Sequence, residues 1–339
     1  MVLALLAACW DPLPTGEETA FTATTQRLTT SDGATIALHH HPGKGPPVLL
    51  VHGISSNHRY FDLDEGHNLA DWLTARGHDV WMLDLRGHGD ALYGDQRRQF
   101  NGWTVDDYGE FDVHLAISHI RQVTGAEKVD YIGHSMGGMV LAVYAAHHGD
   151  DALGAVVVLG SPAAFSKKDP LVGLAAAAMA AGGVSLLWFE TPAFGAMAAD
   201  LKGAVPFRLQ EKLYNPANYT RETIDAMLRQ IVSPIGRTEM QHFGRMLRDE
   251  RFQSWDRKID YFGELKHMKA PLLAIGSDHD EVVPAARVQA FSSAVGGESK
   301  YFLASPPNVK HSYGHLDYTL AEGAVTEIFP MVEAWLGRR

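Results

Sequence analysis

A chain of 339 residues with 29 Lys and Arg against 40 Asp and Glu carries a formal net charge of -11 at pH 7. That balance argues against a nucleic-acid partner, because phosphate binding draws on clustered cations. A hydrophobic share of 46% and a charged share of 20% are those of a globular protein long enough for one large core with an elaboration, and the single cysteine, Cys9, excludes an internal disulfide and a multi-thiolate metal centre.

Residues 1–10 read MVLALLAACW, an apolar run ending in Leu6-Ala7-Ala8-Cys9. This resembles the lipobox of bacterial lipoproteins, whose cysteine is lipidated, and implies peripheral membrane association at a cell envelope. No Lys or Arg precedes the run and it is short for a signal segment, so an apolar terminus folded on the core of a cytoplasmic protein stands beside that reading. Pro12, Pro14 and Gly16 suit a tether over residues 11–20.

Thr-rich alternating segments flank Ser31-Asp32-Gly33 between 21 and 41, the pattern of a β-hairpin. The run His39-His40-His41 cannot chelate one metal as a trio, since adjacent strand residues point to opposite faces. Residues 47–51 (PVLLV) read as a strand buried on both faces, 63–76 as a helix stopped by Gly77, and 80–83 as the next strand. That strand delivers Asp84-Leu85-Arg86-Gly87-His88-Gly89; a dinucleotide fingerprint needs a further glycine where Leu92 stands, and no cofactor is expected. Asp62-Leu63-Asp64-Glu65-Gly66 resembles part of a calcium loop, but Leu73 occupies the position that needs a carboxylate, and no metal is expected. An amphipathic helix over 111–123 leads to a strand at 129–132, a further helix runs over 139–148, and 155–159 (AVVVL) is another buried strand.

The strand rhythm stops between 166 and 262. Residues 171–189 are apolar and uncharged, long enough to raise a membrane span, yet rich in Ala and Gly and closed by Glu190 and Pro192. A helical cap with an apolar inner face suits this region better, with further helices expected at 221–232 and 238–249. Strands resume at 271–276 and 300–303, and a last helix over 324–336 contains Pro330, which should kink it or move its start. The expected organisation is a core over 21–165 and 263–339, interrupted by a cap at 166–262. Strand and helix alternate in the core, which predicts an α/β class, mainly parallel central sheet flanked by helices.

The chemistry centres on Gly133-His134-Ser135-Met136-Gly137-Gly138, a strand end, a sharp turn and a helix start. Small residues at 133 and 137 relieve crowding at a strained serine that stands exposed for attack. A serine hydroxyl needs an imidazole and a carboxylate that orients it. Candidates follow the last two strands: Asp278 and Asp280 after the first, His311 and His315 after the second. The order Ser, Asp, His is that of a strand-elbow-helix hydrolase.

Taken together, His52-Gly53, Asp84 to Gly89, Gly133 to Gly138, Asp280-Glu281-Val282-Val283-Pro284 and His315 resemble, in order and spacing, the α/β-hydrolase fold of serine hydrolases. Gly133-His134-Ser135 and Tyr313-Gly314-His315-Leu316-Asp317-Tyr318 are similar to its acid lipase branch, the lysosomal and gastric kind, although Met136 stands where those lipases usually carry glutamine. The resemblance implies Ser135 as nucleophile, His315 rather than His311 as base, and Asp280, four before Pro284, rather than Asp278 as acid. It implies an oxyanion hole from the main-chain amides of Met136 and Ile54. His134 and His88 are expected to brace loops, and Arg86 to pair with a carboxylate. The expected function is a lipase- or esterase-like serine hydrolase acting through an acyl-enzyme on a hydrophobic small-molecule or lipid ester. An acyltransferase, thioesterase or carbon-carbon hydrolase uses the same triad, and a non-catalytic ligand binder of the same fold is the reading from another class.

Overall fold

Eight strands join in one sheet of order β1-β2-β4-β3-β5-β6-β9-β10. In the computed structural model, which describes residues 23–92, 102–169, 188–189 and 212–338, β1 (Thr24–Thr29) and β2 (Thr35–His41) form the expected hairpin. Then come β3 (Pro47–Val51), β4 (Asp79–Asp84), β5 (Val129–His134) and β6 (Leu153–Leu159). A separate ribbon pairs β7 (Trp188–Phe189) with β8 (Ile235–Gly236), and β9 (Leu272–Gly276) and β10 (Ser299–Leu303) complete the sheet. The two pairings that β2 makes are antiparallel and every other pairing in the large sheet is parallel. Cys9 and residues 170–187 lie outside the described residues, and among these no helix is long and apolar enough to cross a membrane.

Parallel strands covered on both sides read as continuous apolar runs, and the two faces then divide the odd and even residues. Leu49, Val51, Tyr131, Val156, Val158, Leu272 and Ala274 enter one buried cluster with the helices His114–Thr124, Met136–His148 and Ala285–Ala294. Val48, Leu50, Ile132, Val157, Leu159, Leu273 and Ile275 enter the other with Leu69–Thr74 and Phe329–Leu336. The outcome is a three-layer α/β/α core whose parallel strands end on one edge.

Helix boundaries depart from their expected positions for local reasons. The helix expected from residue 63 starts at Leu69, because the Asn68 side chain accepts the Asp71 amide at 2.8 Å and caps it there. Before it, Asp64 Oδ1 accepts the Gly66 and His67 amides at 2.9 and 3.0 Å, an Asx turn. The helix expected at 111 instead starts at Val105, behind a capping box in which Asp107 accepts the Thr104 amide at 2.6 Å. It passes through a π-helical segment, Tyr108–Val113, before His114–Thr124. Gly109 in that segment lies where a Cβ would come within 2.5 Å of the Val143 side chain. At the carboxyl end, Pro330 falls in the first turn of Phe329–Leu336, behind a short separate helix at Ala324–Glu327, so it moves the helix start.

Arg86 does pair with a carboxylate, in fact with two. Its Nε donates to Asp112 Oδ1 at 2.8 Å and its Nη1 and Nη2 to Asp32 at 2.5 and 3.0 Å. Burial pushes the Asp112 carboxyl up to about 6 against the pull of the guanidinium. An ion pair at zero exposure is costly to break on one side, since the partner stays buried and unpaired. Arg86→Met should therefore lower unfolding free energy by about 3–5 kcal/mol in urea denaturation. A loss below about 1 kcal/mol would mean Asp112 is neutral in the folded chain.

Candidate active site

Ser135 sits between β5 and the helix Met136–His148 with φ 50° and ψ -115°, a conformation that a residue with a side chain rarely adopts. Its amide donates to Leu159 O at 2.9 Å, which ties the turn to β6. The glycines around it explain how the turn fits. A Cβ on Gly133 would lie 2.7 Å from the Gly137 carbonyl carbon and the Gly138 amide nitrogen, and one on Gly137 would collide with Val51 O. The helix thus starts directly against β3 and β5, which only glycine permits.

The loop after β10 brings His315 to this serine. His315 Nε2 lies 2.9 Å from Ser135 Oγ and Nδ1 lies 2.9 Å from Asp280 Oδ2. With Asp280 as an acceptor, the proton sits on Nδ1 and Nε2 is free to take the serine proton. Asp280 is held in turn: its Oδ1 accepts the Val282 and Val283 amides at 2.9 and 2.8 Å, and Tyr318 donates to Oδ2 at 3.1 Å. Ser135, His315 and Asp280 are 7%, 5% and 4% exposed, so their hydrogen bonds compete little with bulk water. The rival candidates lie elsewhere. Asp278 is exposed, and His311 Nδ1 is 3.0 Å from Glu327 Oε1, within a separate Glu327-Tyr313 cluster.

The loop after β3 passes against Ser135, so that a Cβ on Gly53 would lie 3.0 Å from Ser135 Cβ. The amides of Ile54 and Met136 donate no hydrogen bond among the described residues. His52 fixes this loop from below. Its Nδ1 donates to Gly53 O at 2.8 Å and its Nε2 accepts the Leu85 amide at 3.3 Å, a neutral tautomer satisfied on both sides. Burial, then the neighbouring His88, pushes the His52 imidazole down to about 3.

His134 braces a loop, as expected: its Nε2 donates to the His315 carbonyl at 2.9 Å while its ring stacks on Tyr60 at 4.0 Å. Burial, then the neighbouring His315, holds its pKa well below the usual imidazole range. Two anchors have no local sequence signal. The first is Asp317, which accepts the Gly314 amide at 2.9 Å, Asn218 Nδ2 at 2.7 Å and Tyr219 OH at 2.8 Å, and so joins the His315 loop to residues 215–219. The second is Ser233, whose amide donates to Ser55 O at 3.0 Å while Ser55 Oγ donates to Ser233 O at 2.7 Å. Nearby, Asn57 Nδ2 donates to Gln230 O at 3.0 Å. Residues 215–219, held by Asp317, and residues 230–233 belong to the stretch expected to form the cap, and both touch the loops that frame the serine.

A family model described as alpha/beta hydrolase fold matches residues 46–311, most of the chain. Gastric triacylglycerol lipase of Rattus norvegicus is 34% identical over 100 residues, which cover 28% of this chain and 25% of the lipase. The poly(3-hydroxyalkanoate) polymerase subunit PhaC of Haloarcula marismortui is 20% identical over 321 residues, 86% of this chain and 61% of the subunit. The chain thus spans less than two thirds of either curated relative. Among solved structures, an esterase from Exiguobacterium antarcticum superposes with a TM-score of 0.62 at 17% identity, over 92% of this chain and 98% of the esterase.

Burial pushes the Asp317 carboxyl up to about 6 although the amides, Tyr219 and Asn218 pull it down. A raised carboxyl pKa favours the protonated folded state. Its contribution to stability is then fully present below about pH 4, the usual carboxyl range, and lost as the pH rises through about 6. Asp317→Asn should flatten the melting temperature against pH between these limits relative to the parent. Parallel profiles would mean that its donors outweigh burial and keep the carboxylate ionised.

Proposed function

The chain belongs to the alpha/beta hydrolase fold family, and on that premise we propose that it is a serine carboxylic ester hydrolase of the lipase or esterase kind, working through an acyl-enzyme. The observation that carries this reading is the unbroken path from Asp280 Oδ2 through His315 to Ser135 Oγ, two contacts of 2.9 Å each. Ser135 Oγ attacks the ester carbonyl as His315 Nε2 takes its proton. Asp280 stabilises the imidazolium while remaining ionised, held by two amides and Tyr318. The amides of Met136 and Ile54 receive the oxyanion; as main-chain donors they do not depend on the side chains at those positions. His315 then protonates the departing alcohol, and water repeats the sequence in reverse to free the acid.

A second reading has one observation in its favour, the match to a polymerase subunit over 86% of this chain. An acyltransferase passes the same acyl-enzyme to an alcohol or thiol acceptor in place of water. A hydrophobic acyl or lipid ester suits the apolar composition of residues 171–189, and a lipidated Cys9 would hold the enzyme at a membrane surface.

Ser135→Ala should lose on the order of 10^5 to 10^6 in turnover of p-nitrophenyl esters, because triad members act as a unit. A fluorophosphonate probe should label the parent and leave that variant unlabelled. Turnover by Ser135→Ala near the parent rate would falsify the mechanism, and an unlabelled, inactive parent would favour a binding protein. Product analysis with added alcohol or thiol separates hydrolysis from transfer, and esters of graded length report the acyl preference.

A further inference from the structure

Strand alternation sends His40 of β2 to Asp79 and Trp81, away from its neighbours. His39, on the other face, meets residues from two distant parts of the chain. Its Nε2 lies 2.9 Å from Asp84 Oδ2, and His58 Nδ1 lies 3.0 Å from the same oxygen. The two imidazole rings stack at 3.6 Å. We propose that His39, His58 and Asp84 are the ligands of a divalent transition-metal site of the zinc type, which clamps β2 and β4 to the loop carrying the Ile54 amide.

Four features support it. The ligand atoms of the three residues all lie within 4.8 Å of one another. A tetrahedral zinc ion with bonds of about 2.0–2.1 Å separates its ligand atoms by about 3.3 Å, so the N···O contacts of 2.9 and 3.0 Å need open only slightly to admit a cation, while the remaining pair of ligand atoms, within 4.8 Å, closes toward the same spacing. Two imidazole nitrogens with one carboxylate suit zinc, cobalt or nickel, whereas magnesium and calcium take oxygen ligands. Outer partners are also in place. Thr25 Oγ1 is 2.9 Å from His39 Nδ1, and Asp84 Oδ1 accepts the His58 amide at 2.7 Å while Oδ2 accepts the Asp90 amide at 2.8 Å. Finally, Asp84 and His39 side chains are 0% and 6% exposed, but the half-exposed Asp90 carboxylate lies 3.9 Å from His39 Nε2, where it or water can complete four-coordination.

Proton balance is simple. In the hydrogen-bonded state both rings point an N–H at Asp84. On metal binding the His39 proton moves from Nε2 to Nδ1, where Thr25 Oγ1 accepts it, and the His58 proton moves from Nδ1 to Nε2. No net proton is released. The functional consequence follows from position: His58 lies four residues after Ile54 and one after Asn57, which is bonded to Gln230, so the ion would stiffen the loop presenting an oxyanion donor.

The full-length chain, treated with a chelator and desalted, is titrated with zinc chloride by isothermal calorimetry. One equivalent should bind and raise the melting temperature, and His58→Asn should weaken that binding by more than about 100-fold. Thr25→Val, which leaves the ligands intact, should weaken it by about 10- to 100-fold. A His114→Ala, His148→Ala double variant removes the stacked surface pair at 3.9 Å and should change nothing. Cobalt chloride added to the parent should give the visible bands of tetrahedral Co(II), a readout that needs no variant. Absence of a stoichiometric zinc site, a parent lacking those bands, or binding lost only with His114 and His148 would overturn the proposal and leave Asp84 as a hydrogen-bond hub alone.

Discussion

A serine backbone held at φ 50° is the constraint on which the site rests. Such a conformation costs about 1–3 kcal/mol and persists only where its surroundings over-determine it. Here the surroundings are the three central strands. β5 ends at His134, immediately before Ser135, β3 passes within contact of Gly137, and β6 accepts the Ser135 amide through Leu159. Because β3 and β6 flank β5 in the sheet, the parallel core that buries two apolar layers also fixes the elbow. Stability of the sheet and geometry of the proposed nucleophile are thus one problem.

Histidines then determine how the loops above the sheet are set. His52 and His134 are buried, and burial drives both toward the neutral form, in which one ring nitrogen donates and the other accepts. His52 uses this to hold the Ile54 loop between Gly53 O and the Leu85 amide. His134 uses it to hold the carbonyl of His315. A protonated imidazole could not accept from Leu85, so neutrality is a structural requirement at His52. His315 differs because its Nδ1 meets a carboxylate, which suits it to carry a transient charge.

Much of this was legible in the sequence, and what was not has two causes, side-chain caps that set helix boundaries and contacts between distant segments. Apolar runs such as PVLLV and AVVVL located strands because burial on both faces leaves no polar position. The glycines at 133 and 137 marked the elbow because nothing larger fits. Helix starts were displaced where a side-chain cap decided the boundary, at Asn68 and at Thr104 with Asp107. Asp278 and Asp280 both follow β9, and the spacing to Pro284 favoured Asp280 only through the family resemblance; the physical difference is that one side chain is exposed and the other faces His315. The roles of Asp317, Tyr318, Asn57 and Ser233 depend on closure between distant segments, as in the 178-residue separation of Ser55 and Ser233. A single sequence carries no local sign of such contacts. The same holds for His39 and His58, whose association with Asp84 no adjacent-residue pattern could express.

Those long-range contacts bear on how substrate and chemistry communicate. Residues 215–219 grip the His315 loop through Asp317, and residues 230–233 grip the Ile54 loop through Asn57 and Ser55. The two stretches precede and end the helix Arg221–Gln230, an amphipathic element capped by Thr220. One rigid element is therefore hydrogen-bonded to the loop of the proposed base at one end and to the loop of the proposed oxyanion donor at the other. Any displacement of that helix must strain both attachments or move both loops. Substrate fit would then be read as alignment of base and oxyanion donor, with Ser135 itself held fixed by the sheet beneath.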